Sequence, residues 1–167
     1  MGQNLRPFIR MPADSLRDYV SAQRVVILCS LNADGSVHAA PMWYVVVEDR
    51  ICVTTPRKSQ KAANLLRDAR LTWLIESGET YDELRGAQGR VTAEIVDDQD
   101  SLLSIASMTD HKYRGALPSP ERAAELQAQM RKRIGIAVPL DGTVASWDHS
   151  RLADLAAGGR PTSSAVG

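Results

Sequence analysis

Ile51-Cys52-Val53-Thr54-Thr55-Pro56-Arg57-Lys58-Ser59-Gln60-Lys61-Ala62-Ala63-Asn64-Leu65 is the stretch on which the reading of this chain turns. Its first five residues favour a strand, and Pro56 ends it. Beyond, Ala62, Leu65, Leu66 and Ala69 fall at helical spacing, which predicts a helix of about ten residues with Ser59 as its N-cap. A strand end running into a helix start gathers free N–H groups, the hydroxyls of Thr54, Thr55 and Ser59, and cationic side chains. An anion such as phosphate needs that set to give up its water. From Arg57 to Arg70 there are five basic residues against one acid, and Lys61 and Asn64, three apart, share a helix face. Taken alone, the run is more simply a solvated basic face.

Working outward, Asp14 predicts a capped helix over 15–23, with Leu16, Tyr19 and Val20 on one face. The run 25–29 predicts a strand buried on both sides. Asn32-Ala33-Asp34-Gly35 supplies a tight turn into a strand over 36–47, and Glu48-Asp49-Arg50 turns the chain into 51–54, so the first part reads as an antiparallel meander. Downstream, 71–75 and 90–96 read as strands, the latter beginning as early as 80. Asp97-Asp98 introduces a helix carrying Leu102 to Met108, and Pro118-Ser119-Pro120 precedes another. Strands over 134–140 and 143–149, separated by Asp141-Gly142, close the fold, and 155–167 is predicted to be a flexible tail. The expectation is one mainly β domain over 1–154, a barrel with a helical insertion at about 98–132.

Length allows one domain with a substantial core, and the formal net charge of zero gives no field that would draw nucleic acid. Cys29 and Cys52 sit in apolar runs without C-x-x-C spacing, which reads as buried thiols in a reducing compartment. Arg6 and Arg10 are followed by no apolar stretch long enough for a signal peptide or membrane span, which points to the cytoplasm. His38, His111 and His149 are far apart, so neither a metal site nor a nucleophile triad is predicted, and no catalytic side chain is assigned. Trp73 and Trp147 read as packing residues, His111 to Arg114 as an exposed polar loop, and Arg133 as a helix-end charge with reach toward a ligand as the alternative.

Gly35, Pro41-Met42-Trp43-Tyr44, Ile51 to Thr55, and Ser59-x-Lys61-x-x-Asn64-Leu65 together resemble the pyridoxamine 5′-phosphate oxidase-like superfamily, and within it the flavin/deazaflavin oxidoreductase branch. The resemblance covers roughly 24–96, and Ser146-Trp147-Asp148 more loosely. It implies an FMN-binding split barrel, homodimeric, with cofactor sites at the interface. Thr54, Thr55, Lys61 and Asn64 would hold the cofactor phosphate, Pro41, Met42 and Trp43 would lie along the ring, and Tyr81 of the other subunit would close over it. Ser59 stands where many relatives carry arginine, with Arg57 or Lys58 placed to compensate. The implied reaction is hydride transfer to a small organic acceptor, carried by the ring rather than by a side-chain dyad. Coenzyme F420 is preferred over FMN because its acidic tail would suit a groove lined by Arg57, Lys58, Arg67 and Arg70. An FMN-dependent oxidase or reductase is the alternative. A haem- or cofactor-carrying protein without activity is the third reading, with His38 or His149 as axial ligand.

Overall fold

Strand β1 (Val26–Leu31) alternates: Val26, Leu28 and Ser30 are buried, whereas Ile27, Cys29 and Leu31 are half-buried on the other face. The sequence predicts burial on both sides. The structure corrects this, since an apolar run fits a sheet covered on one face as well as on two, and Val25, just outside the strand, is exposed. The computed structural model describes residues 5–140 and 143–153. Helices α1 (Arg6–Ile9) and α2 (Ala13–Ala22) precede β1. Then come β2 (Val37–Met42), β3 (Val45–Val47), β4 (Arg50–Pro56), α3 (Gln60–Arg67), β5 (Arg70–Ser77), β6 (Arg85–Thr92) and β7 (Glu94–Val96). The chain ends with α4 (Gln99–Arg114), α5 (Pro120–Met130), β8 (Arg133–Pro139) and β9 (Thr143–Asp148), with 3₁₀ turns at Tyr81–Glu83 and His149–Arg151.

One sheet runs β2-β1-β5-β6-β9 and the other β3-β4-β8-β7, with antiparallel pairing throughout. The chain changes sheet after Met42 and again at Ala93, so each of the strands predicted over 36–47 and over 90–96 is divided between the two sheets; the start expected as early as 80 is corrected, since 81–83 form a 3₁₀ turn and the strand begins at Arg85. Buried corners explain both breaks. Tyr44 is fully buried and its hydroxyl donates to the Val20 carbonyl, while Ala93 is buried and its N–H donates to the Ala69 carbonyl at 2.8 Å. The expected meander is therefore two hairpins in two sheets. The first turn uses left-handed backbone at Gly35 (φ +83°) as predicted, and the second, predicted only as a turn, uses it at Glu48 and Asp49 (φ +47° and +60°).

Leu28, Trp73 and Ile75 of one sheet meet Ile51, Val53, Ile136 and Val138 of the other in a single core, joined by Tyr19 and Val20 of α2 and Leu65 of α3. This is the split barrel that the resemblance implies. The helical insertion is α4 and α5, whose Leu102, Ala106, Leu126 and Met130 pack together. Between them the buried Asp110 carboxylate accepts from Arg114 Nε (2.9 Å) and Arg122 Nη2 (3.0 Å).

Two helix boundaries and one helix face differ from the sequence reading. Pro12 rather than Asp14 is the N-cap of α2, its φ already fixed for the entry. Leu66 is 56% exposed because α3 turns Ala62, Asn64 and Leu65 inward instead. His111 to Arg114 form the last turn of α4, not a loop, and Gly115 at φ +82° ends the helix. Asp141-Gly142 and the predicted tail lie outside the described residues. No helix among the described residues is long and apolar enough to cross a membrane.

Two glycines of β6 make room for indoles. Gly89 lies opposite Trp73 and Gly86 opposite Trp147 in the strand pairing. A Cβ at Gly89 would stand 2.5 Å from Trp73 Nε1, and one at Gly86 would stand 2.2 Å from Trp147 Cζ2. Gly89→Ala is therefore expected to destabilise the fold by about 1–3 kcal/mol through overpacking. Gly35→Ala, in open space at positive φ, costs only the backbone preference, about 1 kcal/mol. Urea denaturation of the two variants checks the ordering, and a Gly89→Ala midpoint equal to wild type would contradict the packing.

Candidate functional site

The last turn of β4 and the first of α3 converge as the sequence predicts. Ser59 caps α3, its Oγ accepting from the Ala62 N–H at 3.3 Å. Thr55 is fully buried, with its Oγ1 3.0 Å from Ser59 Oγ and receiving Lys61 Nζ at 3.4 Å. Arg133, the first residue of β8, pairs with Pro56 across the sheet and directs Nη1 at the Thr54 carbonyl (3.3 Å) and hydroxyl (3.5 Å). Burial and the nearby Arg133 charge lower the Lys61 pKa below the ordinary lysine value. Among the described residues no carboxylate bonds to either cation. Two positive groups over three hydroxyls, beside the N–H groups that open a helix, make a donor set of the kind an anion such as phosphate takes.

Three of the other four basic residues of the segment are occupied. Arg57 pairs with Asp97, Arg70 Nη2 with Asp68 Oδ2 at 2.6 Å, and Arg67 donates to the Leu31 carbonyl. Lys58 is exposed, with no partner among the described residues. Asn64 is fully buried and its amide is spent inside the chain: Nδ2 donates to Ser30 Oγ (3.1 Å) and Asn32 Oδ1 (2.9 Å), and Oδ1 accepts from Gln60 Nε2 (2.9 Å). Lys61 and Asn64 are neighbours on α3, yet Lys61 reaches Thr55 while Asn64 ties the helix to β1 and the turn after it.

Pro41 and Met42 end β2, with Pro41 exposed and Met42 packed on the core. Trp43 is 61% exposed and stacks on Tyr113 of α4, with ring centroids 4.4 Å apart and planes 10° from parallel. The Tyr113 hydroxyl accepts from the Tyr44 N–H (3.0 Å) and donates to the Arg24 carbonyl (2.5 Å), which locks α4 to the corner between the sheets. Tyr81 is exposed in its 3₁₀ turn, far in sequence from the Lys61 group. It meets the His149 ring edge-on, and His149 Nδ1 lies 2.9 Å from the Tyr81 carbonyl. The cysteines are free, and burial raises the thiol pKa of both, Cys52 to about 11. Among the described residues no three His, Cys, Asp or Glu side chains gather as a metal would require.

Sequence reasoning left Arg133 outside the site because its register with Pro56 is a long-range pairing. It read Lys112 and Tyr113 as loop, although Gly115 and Pro118 are the stop signals that would have carried the helix to Arg114.

The family model described as pyridoxamine 5′-phosphate oxidase matches residues 13–139. Among solved structures, a conserved hypothetical protein, Rv2991, from Mycobacterium tuberculosis is similar over 100% of this chain and 98% of its own, at 33% identity and a TM-score of 0.82. An F420 reductase is similar over 75% of this chain and 93% of its own, at 19% identity and a TM-score of 0.55. The haem storage protein HutZ from Vibrio cholerae is similar over 79% and 92%, at 12% identity and a TM-score of 0.61. The last two likenesses concern the fold alone. Comparison with curated proteins finds no match.

The two α3 residues separate by their roles. Asn64→Ala removes a buried amide that satisfies Ser30 and Asn32, and is expected to destabilise the fold by about 1–3 kcal/mol. Lys61→Ala, at a half-exposed position, stays within about 0.5 kcal/mol of wild type. Chemical denaturation of both variants without ligand reads the difference, and equal stabilities would refute it.

Proposed function

The chain belongs to the pyridoxamine 5′-phosphate oxidase family, and from that premise we propose that it is an oxidoreductase that binds a flavin-type cofactor by its phosphate at Lys61 and Arg133. The observation that carries the reading is the pair of half-buried cations with no bonded carboxylate among the described residues, set over the hydroxyls of Thr54, Thr55 and Ser59. That donor set fits a phosphate dianion in charge and in hydrogen-bonding capacity. Arg133 takes the part that the missing arginine at Ser59 would have had.

When bound, the ring supplies hydride transfer to or from a small organic molecule. The protein contributes orientation and exclusion of water. Pro41, Met42 and Trp43 flank the ring, the Trp43–Tyr113 stack fixes the wall beside it, and Tyr81 of a second copy closes it. The half-buried outer face of β1, with Ile27, Cys29 and Leu31, supports pairing of two copies.

Coenzyme F420 is the cofactor we favour, with Lys58 free to meet its acidic tail. FMN is the second reading, and a specific observation favours it: Arg57 and Arg70, two of the four cations expected along that tail, are already neutralised by Asp97 and Asp68. Exposed tail contacts contribute little each and are screened by salt.

Titration of the purified protein with each cofactor at low and high salt separates these readings. Lys61→Ala is expected to weaken binding of the preferred cofactor by about 1.5–3 kcal/mol, roughly 10- to 100-fold in Kd. Salt is expected to loosen F420 more than FMN. Tighter FMN binding at both salts, with oxygen uptake on turnover, moves the assignment to a flavin oxidase. A Soret band on adding haem, with neither cofactor bound, overturns it.

A further inference from the structure

A second uncompensated cation lies on α4, away from the Lys61 group. Lys112 Nζ donates to the Gln23 carbonyl at 2.7 Å and sits over the Tyr44 ring, 4.1 Å from its centroid. Arg24 stands beside it, over the Tyr113 ring at 4.7 Å. No carboxylate bonds to either among the described residues. Burial, and then the Arg24 charge, hold the Lys112 pKa down at about 8. One carbonyl uses one of the three N–H donors of an ammonium, so Lys112 has capacity for an acceptor that the described residues do not supply.

Lys112 lines a cavity of about 360 Å³ among α2, β3 and α4, within the size range of small-molecule pockets. Val45, Val46, Met108 and Leu117 give it an apolar body, and the last two are 39% and 76% exposed. Ser21, Ser104 and Ser107 also line it, their hydroxyls without a hydrogen-bond partner among the described residues. The titratable and charged groups around Lys112 are Arg24, His111 and the Tyr44 and Tyr113 phenols. Asp18, a turn before Ser21 on α2, is exposed and does not line the cavity.

We propose that this cavity binds a small amphipathic carboxylate, with its apolar body among Val45, Val46, Met108 and Leu117 and its anionic group on Lys112. An apolar wall alone would take any hydrophobe. A half-buried ammonium without a counter-charge selects the anion, and the serine hydroxyls offer donors to its second oxygen. Trp43 is two residues from Val45 and stacks on Tyr113, the neighbour of Lys112, so the cavity adjoins the segment assigned above to the ring. Naming the carboxylate as the reaction's organic substrate rests on the proposed function. Its binding does not.

The test uses the full chain without cofactor, so the Lys61 titration and this one fail independently. Calorimetric titration compares 2-naphthoate with neutral 2-naphthamide at pH 7. The carboxylate is expected to bind at least about 10-fold more tightly. Lys112→Met abolishes that preference and Lys112→Arg retains most of it. Raising the pH from 7 to 10 also removes it, because Lys112 gives up its proton near pH 8 while naphthoate keeps its charge and Arg24 stays protonated. Ser107→Trp, which fills the cavity, abolishes binding of both probes and keeps the test decisive should Lys112→Met fail to fold. Equal affinity for the two probes, a preference that survives Lys112→Met or pH 10, or no binding of either to wild type would overturn the proposal.

Discussion

Burying the Tyr44 phenol obliges the chain to give its hydroxyl an acceptor, and the Val20 carbonyl near the end of α2 provides one. Much else follows from that bond. It stops β2 at Met42 and starts β3 in the other sheet, so the barrel splits there. It turns Trp43 outward, where Tyr113 stacks on it, and it places the Tyr44 ring beneath Lys112. The Tyr113 hydroxyl then bridges the Tyr44 N–H and the Arg24 carbonyl, which docks α4 against the same corner. Burial also pushes the Tyr44 phenol pKa up, so the hydroxyl remains a donor at any ordinary pH. A phenylalanine there would leave a buried carbonyl without its donor and lose the anchor of α2.

Much of this architecture was legible along the chain, because its signals are local. Ser59 announces the start of α3, Asp98 and Ser119 cap the insertion helices as their positions suggest, and the turns fall at Gly35 and at Glu48-Asp49. What was not legible depends on partners distant in sequence. Nothing near Ala93 says that its N–H will meet Ala69, so 90–96 reads as one strand. Nothing near Arg133 says that register will bring it to Thr54. Asn64 carries the same ambiguity: a polar residue three positions from Lys61 suggests a shared ligand, and only the fold reveals that Ser30 and Asn32 consume its amide. That Ser59, Thr55 and Lys61 gather where β4 runs into α3 was therefore readable, and that the fold consumes the Asn64 amide was not.

The distribution of charge carries the last step. Lysine and arginine together balance aspartate and glutamate over the whole chain, yet the balance is uneven in space. Each ion pair among the described residues is made by an arginine: Arg17, Arg50, Arg57, Arg70, Arg85, Arg114 and Arg122 take up Asp49, Glu94, Asp97, Asp68, Asp148, Asp110 and Glu125 between them. Most are exposed and contribute little to stability, but they occupy the acids. The two half-buried lysines, Lys61 and Lys112, are left with hydroxyls, carbonyls and aromatic rings. Burial lowers the pKa of each, and a positive neighbour, Arg133 in one case and Arg24 in the other, lowers it further. A fold selected only for stability gains nothing from holding an ammonium in partial burial beside a second cation. An anion bound as proposed at either lysine would relieve that repulsion and take up the remaining donors. Keeping the acids on the arginines is thus what leaves this neutral chain with two half-buried ammonium groups bonded only to uncharged partners among the described residues.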